Sequence, residues 1–376
     1  MRIFLSWYNT FENKKRTSAA VAGIAFSVIL IFMQLGFLKT ARVTSTRLYD
    51  YLDFDIVITS DKYEYMDDPD SFDRVHLIQA RVVPGVGKVG MVNLSGAAWL
   101  DRETEISSSC LLISVDRDPA FLRNDEISEN LESITAKTNT VMLDRLSHPE
   151  LGPVEIGRTA SIHGVEVEVT SLFEIGLGFF ADGSIIVSNE TFQNLVRQDS
   201  RKVSLGLVKL APGADGNEVK DAMRESMPPD VLIFGREEFV TGEQDYFIKV
   251  KPVGIMFRMG VLVAFIVGAV ILFQVLSKEI ATKIKEYATL KAMGFKTSTI
   301  YIVGFQQALI MAIMSYLPAL AISHGVFFAA RRASRLPMYL SNDLALFVLA
   351  LTLGMCVISG VLALRRIQLA DPAELF

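Results

Sequence analysis

The sequence predicts a membrane protein of four apolar helices that carries one large water-exposed α+β domain. Three observations lead there. The stretches 18–38, 253–276, 300–328 and 344–364 are apolar for long enough to cross a bilayer, which takes about 20 residues. Residues 39–252, between the first and second stretch, have ordinary soluble composition and are numerous enough for one or two domains. The mean hydropathy of the 376-residue chain is +0.35, and the four apolar stretches account for the excess.

Charge divides the chain in the same way. Residues 39–252 carry a net charge of −14 and the remainder +9. Basic residues mark the cytoplasmic side of a membrane protein. They cluster before the first span (Arg2, Lys14, Lys15, Arg16), between the second and third (Lys278, Lys283, Lys285, Lys291, Lys296) and after the fourth (Arg365, Arg366). With four spans all three clusters fall on one side. Both termini and the 277–299 segment are then expected in the cytoplasm, the acidic insert and the 329–343 loop outside. Arg331, Arg332 and Arg335 in that loop oppose the rule but are outnumbered. The first span is expected to be a retained anchor. Its apolar run is too long for a signal peptide, and "LKTARVTS" offers no small-residue cleavage site.

Residues 1–17 place Phe4, Trp7, Tyr8 and Phe11 on one helical face beside a basic cluster, as in a helix lying in the cytoplasmic interface. Residues 40–52 extend the first span as a stalk. In the insert, 54–60, 88–100, 108–116, 202–210 and 229–234 read as strands, and 70–82 and 215–227 as helices. The order β-α-β-β, a long excursion, then β-α-β is a split, ferredoxin-like pattern. It assigns 53–117 and 201–235 to two halves of one subdomain and 118–200 to an inserted β-rich one. Residues 236–252 read as a second stalk helix leading directly into the 253–276 span. The last segments are the 329–343 loop, the 344–364 span and a cytoplasmic tail, 365–376.

Enzyme signatures are missing. No G-x-x-x-x-G-K-[ST] phosphate loop, G-x-S-x-G or H-E-x-x-H occurs, so no catalytic residue is assigned. Gly85, Gly87 and Gly90 spell G-x-G-x-x-G but precede a strand, which excludes a dinucleotide loop. The acidic stretch 61–73 reads as a solvated loop. His76, His148, His163 and His324 lack metal-ligand spacing, and no metal is expected. Cys110 and Cys356 lie too far apart in kind of environment to make a disulfide framework.

The span interiors hold no Asp, Glu or Lys, which argues against an ion-coupled carrier. They hold small residues four apart instead: Ala19, Gly23 and Ser27 in the first span, Gly260, Ala264 and Gly268 in the second. Such ridges let helix backbones approach closely, either across a dimer seam or within one chain.

The 277–299 segment is short, charged and strongly helical between two membrane-length runs. Ile280, Ile284, Tyr287 and Ala288 share a face, Glu279 and Lys283 stand at i,i+4, and Gly294 is placed to end the helix. An amphipathic cytoplasmic helix joining spans two and three follows.

"KEYATLKAMGF" (285–295) with "IYIVGFQQALI" resembles the segment after span two in the FtsX/MacB superfamily of ABC transporter permeases. "ALRRIQLADPAELF" (363–376) is similar to that family's C-terminal motif, and "VPGVGKVG" and "ADGSIIVSNETF" to its extracytoplasmic domain. "AGIAFSVILIFMQLGFLKT" is most similar to the DevC branch, permeases of tripartite exporters of the heterocyst glycolipid type.

The resemblance implies a MacB-like porter subdomain for the two insert halves and a homodimer in the inner membrane with the large domain periplasmic. It implies a separate cytoplasmic ABC ATPase that binds the ATP and Mg, since this chain binds no cofactor itself. Lys285, Glu286, Tyr287, Ala288, Leu290, Lys291, Met293 and Gly294 would form the coupling helix that receives it. Closure of the ATPase would move the stalks, and the periplasmic domain would push lipid-like or hydrophobic cargo through an adaptor into an outer-membrane channel. This is mechanotransmission, with no substrate path through the spans and no nucleic-acid partner. The alternative is an FtsX-like regulator of a cell-wall hydrolase, whose external domain is usually smaller.

Overall fold

The computed structural model describes residues 11–12, 14–102, 104–116, 118–176, 181–283, 297–334 and 338–369. The chain divides into two compact units. One comprises Met1–Lys39, Pro252–Ala333 and Pro337–Phe376, the other Thr40–Lys251 with Ser334–Leu336. In chain order the elements are α1 (Lys14–Thr44), β1 (Ile56–Ser60), β2 (Phe72–Asp73), α2 (Val75–Ala80), β3 (Val86–Asp101), β4 (Ser107–Ser114), α3 (Asp125–Glu129), α4 (Leu131–Thr135), β5 (Thr140–Asp144), β6 (Thr159–Ile162), β7 (Val165–Phe173), β8 (Gly183–Val187), α5 (Asn189–Val196), β9 (Lys202–Val203), β10 (Leu205–Leu210), α6 (Gly216–Ser226), β11 (Val231–Gly235), α7 (Arg236–Lys249), α8 (Pro252–Thr282), α9 (Thr297–Ser334) and α10 (Asn342–Leu369).

The Thr40–Lys251 unit is built on a mixed sheet of nine strands in the order β11-β1-β10-β3-β4-β8-β5-β7-β6. β1 pairs antiparallel with β10 and β11, and β10 with the first half of β3. At Val92 the strand leaves β10, and from Asn93 it pairs with β4 instead. Its far end also pairs with β6, through Trp99 opposite Ile162. Strands β3-β4-β8-β5-β7-β6 therefore return on themselves as a closed ring, with β4–β8 and β5–β7 parallel.

Two apolar cores follow from these pairings. One lies between β1, β3, β10 and β11 and the helices α2 and α6, filled by Ile56, Ile58, Leu77, Val208, Met223 and Ile233. α6 forms where the sequence caps it: the Asp215 carboxylate accepts from the backbone N–H groups of Asn217 and Glu218 at 2.7 and 3.2 Å. The second core fills the ring and includes Trp99, Cys110, Leu112, Val141, Val169, Ile185 and Phe192. The expected seam at 117/118 does not separate the two. β3 and β4, expected in the first half, supply Ala97, Trp99, Cys110 and Leu112 to the second core. A strand of sixteen residues is long enough to serve both.

Other expectations shift in length. The helix expected over 70–82 is only Val75–Ala80, because Phe72 and Asp73 pair with Val203 and Lys202. The stalk helix expected over 236–252 does not run directly into the span: α7 ends at Lys249 and α8 begins at Pro252. Proline has no N–H to continue the helical ladder but suits a helix's first turn, so the break falls in front of it. α9 runs to Ser334, beyond the expected end at 328. There the Arg331 and Arg332 guanidinium groups lie 5.6 and 4.5 Å from the Phe328 ring centre.

In the helical unit, four helices are long and apolar enough to cross a membrane: Thr17–Thr44, Pro252–Thr282, Ile302–Arg332 and Asn342–Ala363. Their apolar packing is supplemented by hydrogen bonds between helices. Ser359 donates to the Ala269 carbonyl at 2.7 Å and Tyr316 to the Ala345 carbonyl at 2.8 Å. A Cβ placed on Gly268 would lie 2.7 Å from Met355 Sδ and 3.0 Å from Ser27 Cβ. One on Gly23 would lie 3.2 Å from an Ile271 methyl, and one on Gly260 2.5 Å from the Gln34 carboxamide. Ala264 is buried as well, whereas Ala19 is exposed. Gly23, Ser27, Gly260 and Gly268 thus meet neighbours inside this chain.

Candidate coupling site

Lys285, Glu286, Tyr287, Ala288, Leu290, Lys291, Met293 and Gly294 lie outside the described residues, as do most of 1–17 and the 370–376 end of the C-terminal motif. The structure does describe the helix ends on either side of the 284–296 segment. α8 continues past the expected span end at 276 to Thr282, and α9 starts at Thr297. Spanning the bilayer core of about 30 Å takes about 20 residues, so a helix of 31 projects beyond it.

On that extension Glu279 is 9% exposed. The side-chain amide of Gln307 on α9, 2% exposed, donates to its carboxylate at 2.6 Å. Lys283, also buried, reaches the Glu12 carboxylate at 2.6 Å. Glu279 and Lys283 stand at i,i+4 along one helix, and in the structure each also reaches another segment. Gln307 stands on a buried α9 face with Val303, Met311 and Ser315. That repeat of four was present in the sequence, and an amide on it was the available signal.

The Thr40–Lys251 unit has its own polar centre, which sequence reasoning missed. Glu243 on α7 is 4% exposed. The Tyr49 hydroxyl, from the short turn Arg47–Asp50, donates to it at 2.9 Å, and the Tyr63 hydroxyl lies 3.3 Å from that of Tyr49. Burial raises the Glu243 carboxyl to about 8; the hydroxyls of Tyr49 and Tyr63 pull it down and the charge of Asp67 adds to the rise. Burial, with Glu243 beside them, also drives the Tyr49 and Tyr63 phenols well above their ordinary range. Asp67 pairs with Lys251 at 2.8 Å, and that ammonium lies 5.5 Å from the Tyr65 ring centre. The available signal was again periodicity: Phe239, Glu243 and Phe247 stand four apart, a carboxylate on a buried aromatic face.

Arg236, at the start of α7, donates to the backbone carbonyls of Leu52 and Tyr49 and lies 4.6 Å from the Phe54 ring centre. At the end of α1, Arg42 reaches Asp245 at 3.0 Å and Gln244 at 3.1 Å, both on α7. The two ends of this unit are therefore fastened to each other.

The glycines of "VPGVGKVG" have structural work. Gly85 turns at φ +87°, a Cβ on Gly87 would lie 2.8 Å from the Leu210 carbonyl oxygen, and one on Gly90 would strike the Phe121 ring. Among the described residues no cluster of His, Cys, Asp or Glu could hold a metal ion. Cys110 is a buried thiol pushed up to about 12 by burial, with the Asp182 charge adding to the rise, and so is poorly nucleophilic.

Two families match the chain: MacB-like periplasmic core domain over residues 17–226 and FtsX-like permease C-terminal over residues 258–369. No curated protein matches. Similar solved structures include the periplasmic region of MacB from Actinobacillus actinomycetemcomitans, at 10% identity over 51% of this chain and 92% of that one, with a TM-score of 0.35. The extracellular domain of the noncanonic ABC-type transporter YknZ from Gram-positive bacteria is 13% identical over 48% of this chain and 98% of that one, with a TM-score of 0.34. With the first family spanning more than half of the sequence and the second most of its C-terminal third, the chain belongs to the MacB/FtsX-like permeases and is an ABC transporter permease subunit.

Proposed function

We propose that this chain is the membrane subunit of a tripartite exporter, most similar to the DevC type, that works by mechanotransmission. A separate cytoplasmic ATPase docks on 284–296, with Glu286 and Leu290 at the contact. Two copies of the chain close together as ATP is bound and hydrolysed, and the acidic domain moves lipid-like or hydrophobic cargo outward through an adaptor and an outer-membrane channel. The protein lies in the inner membrane with both termini in the cytoplasm and the large domain in the periplasm.

The observation that carries this reading is the union of the two family matches with spans that offer no ion path. Residues 18–38, 253–276, 300–328 and 344–364 contain no Asp, Glu or Lys, and the one Arg, Arg258, lies near a span end. The sequence contains no phosphate-binding loop, which fits ATP hydrolysis on a separate subunit.

The test is purification of the tagged protein from its native membrane in mild detergent, with ATPase assay and mass spectrometry of what accompanies it. A nucleotide-binding subunit plus an adaptor is expected. A cell-wall hydrolase with the ATPase and no adaptor would replace export with regulation. No ATPase in an otherwise intact complex would remove the mechanism. Glu286→Lys and Leu290→Asp should each lower ATPase recovery at least tenfold while the external domain stays protease-resistant; full recovery in both would end the docking role of that segment.

A further inference from the structure

We infer that Glu279 and Gln307 are positioning residues that lock α8 to α9 at the end bearing the 284–296 segment, so that a push on that segment moves both helices together. This rests on the reading of 284–296 as the place where the ATPase docks.

The apolar side chains buried around the contact are Leu276 and Ile280 on α8 and Val303, Ala308 and Met311 on α9. Apolar packing is non-directional, and one turn of sliding exchanges one methyl contact for another. A hydrogen bond from an amide to a carboxylate is directional, and with Gln307 2% and Glu279 9% exposed, water has little access to replace either partner. Charge-assisted bonds of this kind are stronger than neutral ones. The contact therefore opposes sliding in a way the surrounding methyl groups do not.

Its place along the chain matters as much as its chemistry. Glu279 stands three residues before the end of α8, and Gln307 about 15 Å along α9 from Thr297 at 1.5 Å per residue. The bond thus closes a loop around the proposed docking segment and fixes where both of its ends are held. Lys283, one turn beyond Glu279, brings the Glu12 carboxylate to the same end. A segment anchored only through its backbone would dissipate a push in bending. One whose two helices are pinned at its base passes the push along both.

The chain is purified from its native membrane as wild type and as Gln307→Leu, Glu279→Leu and Gln307→Glu. Gln307→Leu keeps apolar volume and removes the donor; Gln307→Glu places two carboxylates together. Three quantities are read for each: ATPase recovered per chain, ATP hydrolysis per recovered ATPase, and protease resistance of the external domain. The expected result is unchanged recovery and resistance, with hydrolysis per recovered ATPase altered at least fivefold in both Leu variants. The double variant Glu279→Gln/Gln307→Glu, which restores an amide–carboxylate pair with the roles exchanged, should return it to within twofold of wild type. A purely stabilising contact would instead lower recovery and resistance together. Wild-type hydrolysis in the Leu variants overturns the inference and leaves the docking reading standing. Absence of any ATPase from the wild-type preparation overturns the docking reading, and the inference with it.

Discussion

The Tyr49 hydroxyl donates a 2.9 Å hydrogen bond to the Glu243 carboxylate, and so joins the turn that opens the Thr40–Lys251 unit to the helix that closes it. Among the described residues no lysine or arginine bonds to that carboxylate; its neighbours include phenols, aromatic rings, the Met66 backbone and Asp67. A carboxyl so placed prefers its proton.

A pH dependence follows. Glu243 keeps its proton up to about 8, whereas in an unfolded chain it loses it in the ordinary carboxylate range near 4. The folded state therefore binds more protons between those limits. The contribution is complete below the lower limit and is lost as pH rises toward the upper one, at up to about 1.4 kcal/mol per pH unit. Thermal unfolding of the full chain in detergent, followed by proteolysis of the external domain from pH 5 to 9, should show a falling midpoint. Glu243→Gln, which still accepts from Tyr49, should flatten the curve. An unchanged slope in that variant would refute the assignment.

Arg236 should be needed for the same junction. Its guanidinium donates to two backbone carbonyls and rests on Phe54. Arg236→Ala leaves those carbonyls short of partners and removes the ring contact, a loss of about 3 kcal/mol. Arg236→Lys should recover less than half of it, since an ammonium does not reproduce the planar fork. Urea titration of both variants against wild type measures this.

Asp144 is a buried carboxylate that organises the ring of strands. It accepts from the N–H groups of Leu146, Ile175 and Gly176 and from the Ser184 hydroxyl at 2.9, 3.2, 2.7 and 2.8 Å. Asp144→Ala leaves several buried donors unsatisfied, at about 1–3 kcal/mol each. The expected outcome is protease cleavage within 144–187 under conditions where the wild type is intact, with the helical unit still recovered from membranes.

Gly87 and Gly354 should respond very unequally to the same substitution. A Cβ at Gly87 would press on the backbone of Leu210 and Ala211, whereas at Gly354 it would meet nothing within 4 Å. Gly87→Ala should cost about 2 kcal/mol by parting β3 from β10, and Gly354→Ala less than about 0.5. Denaturation midpoints of the two variants make the comparison.

Much of the architecture was legible because it rests on local properties. Bilayer length and apolarity marked all four spanning helices, with ends up to six residues short, since hydrocarbon thickness sets the minimum length whatever the neighbours are. The Asp215 cap and the strands β1, β3, β4, β10 and β11 were visible for similar reasons: a cap and a period of two are written in adjacent residues. The permease family was readable in "KEYATLKAMGF" and its flanks, and the family matches agree with it.

What long-range packing decides was beyond the sequence. Nothing in 86–101 announces that one strand leaves β10 at Val92 and closes a ring through Trp99 and Ile162. Nothing local says that Lys283 reaches Glu12 or that Glu279 meets Gln307, twenty-eight residues away. Nor does a glutamate spaced four from two phenylalanines say which hydroxyl will meet it. Local sequence specifies which face of an element is apolar. Which polar group on that face finds a partner depends on segments far along the chain, and so only the folded structure settles it.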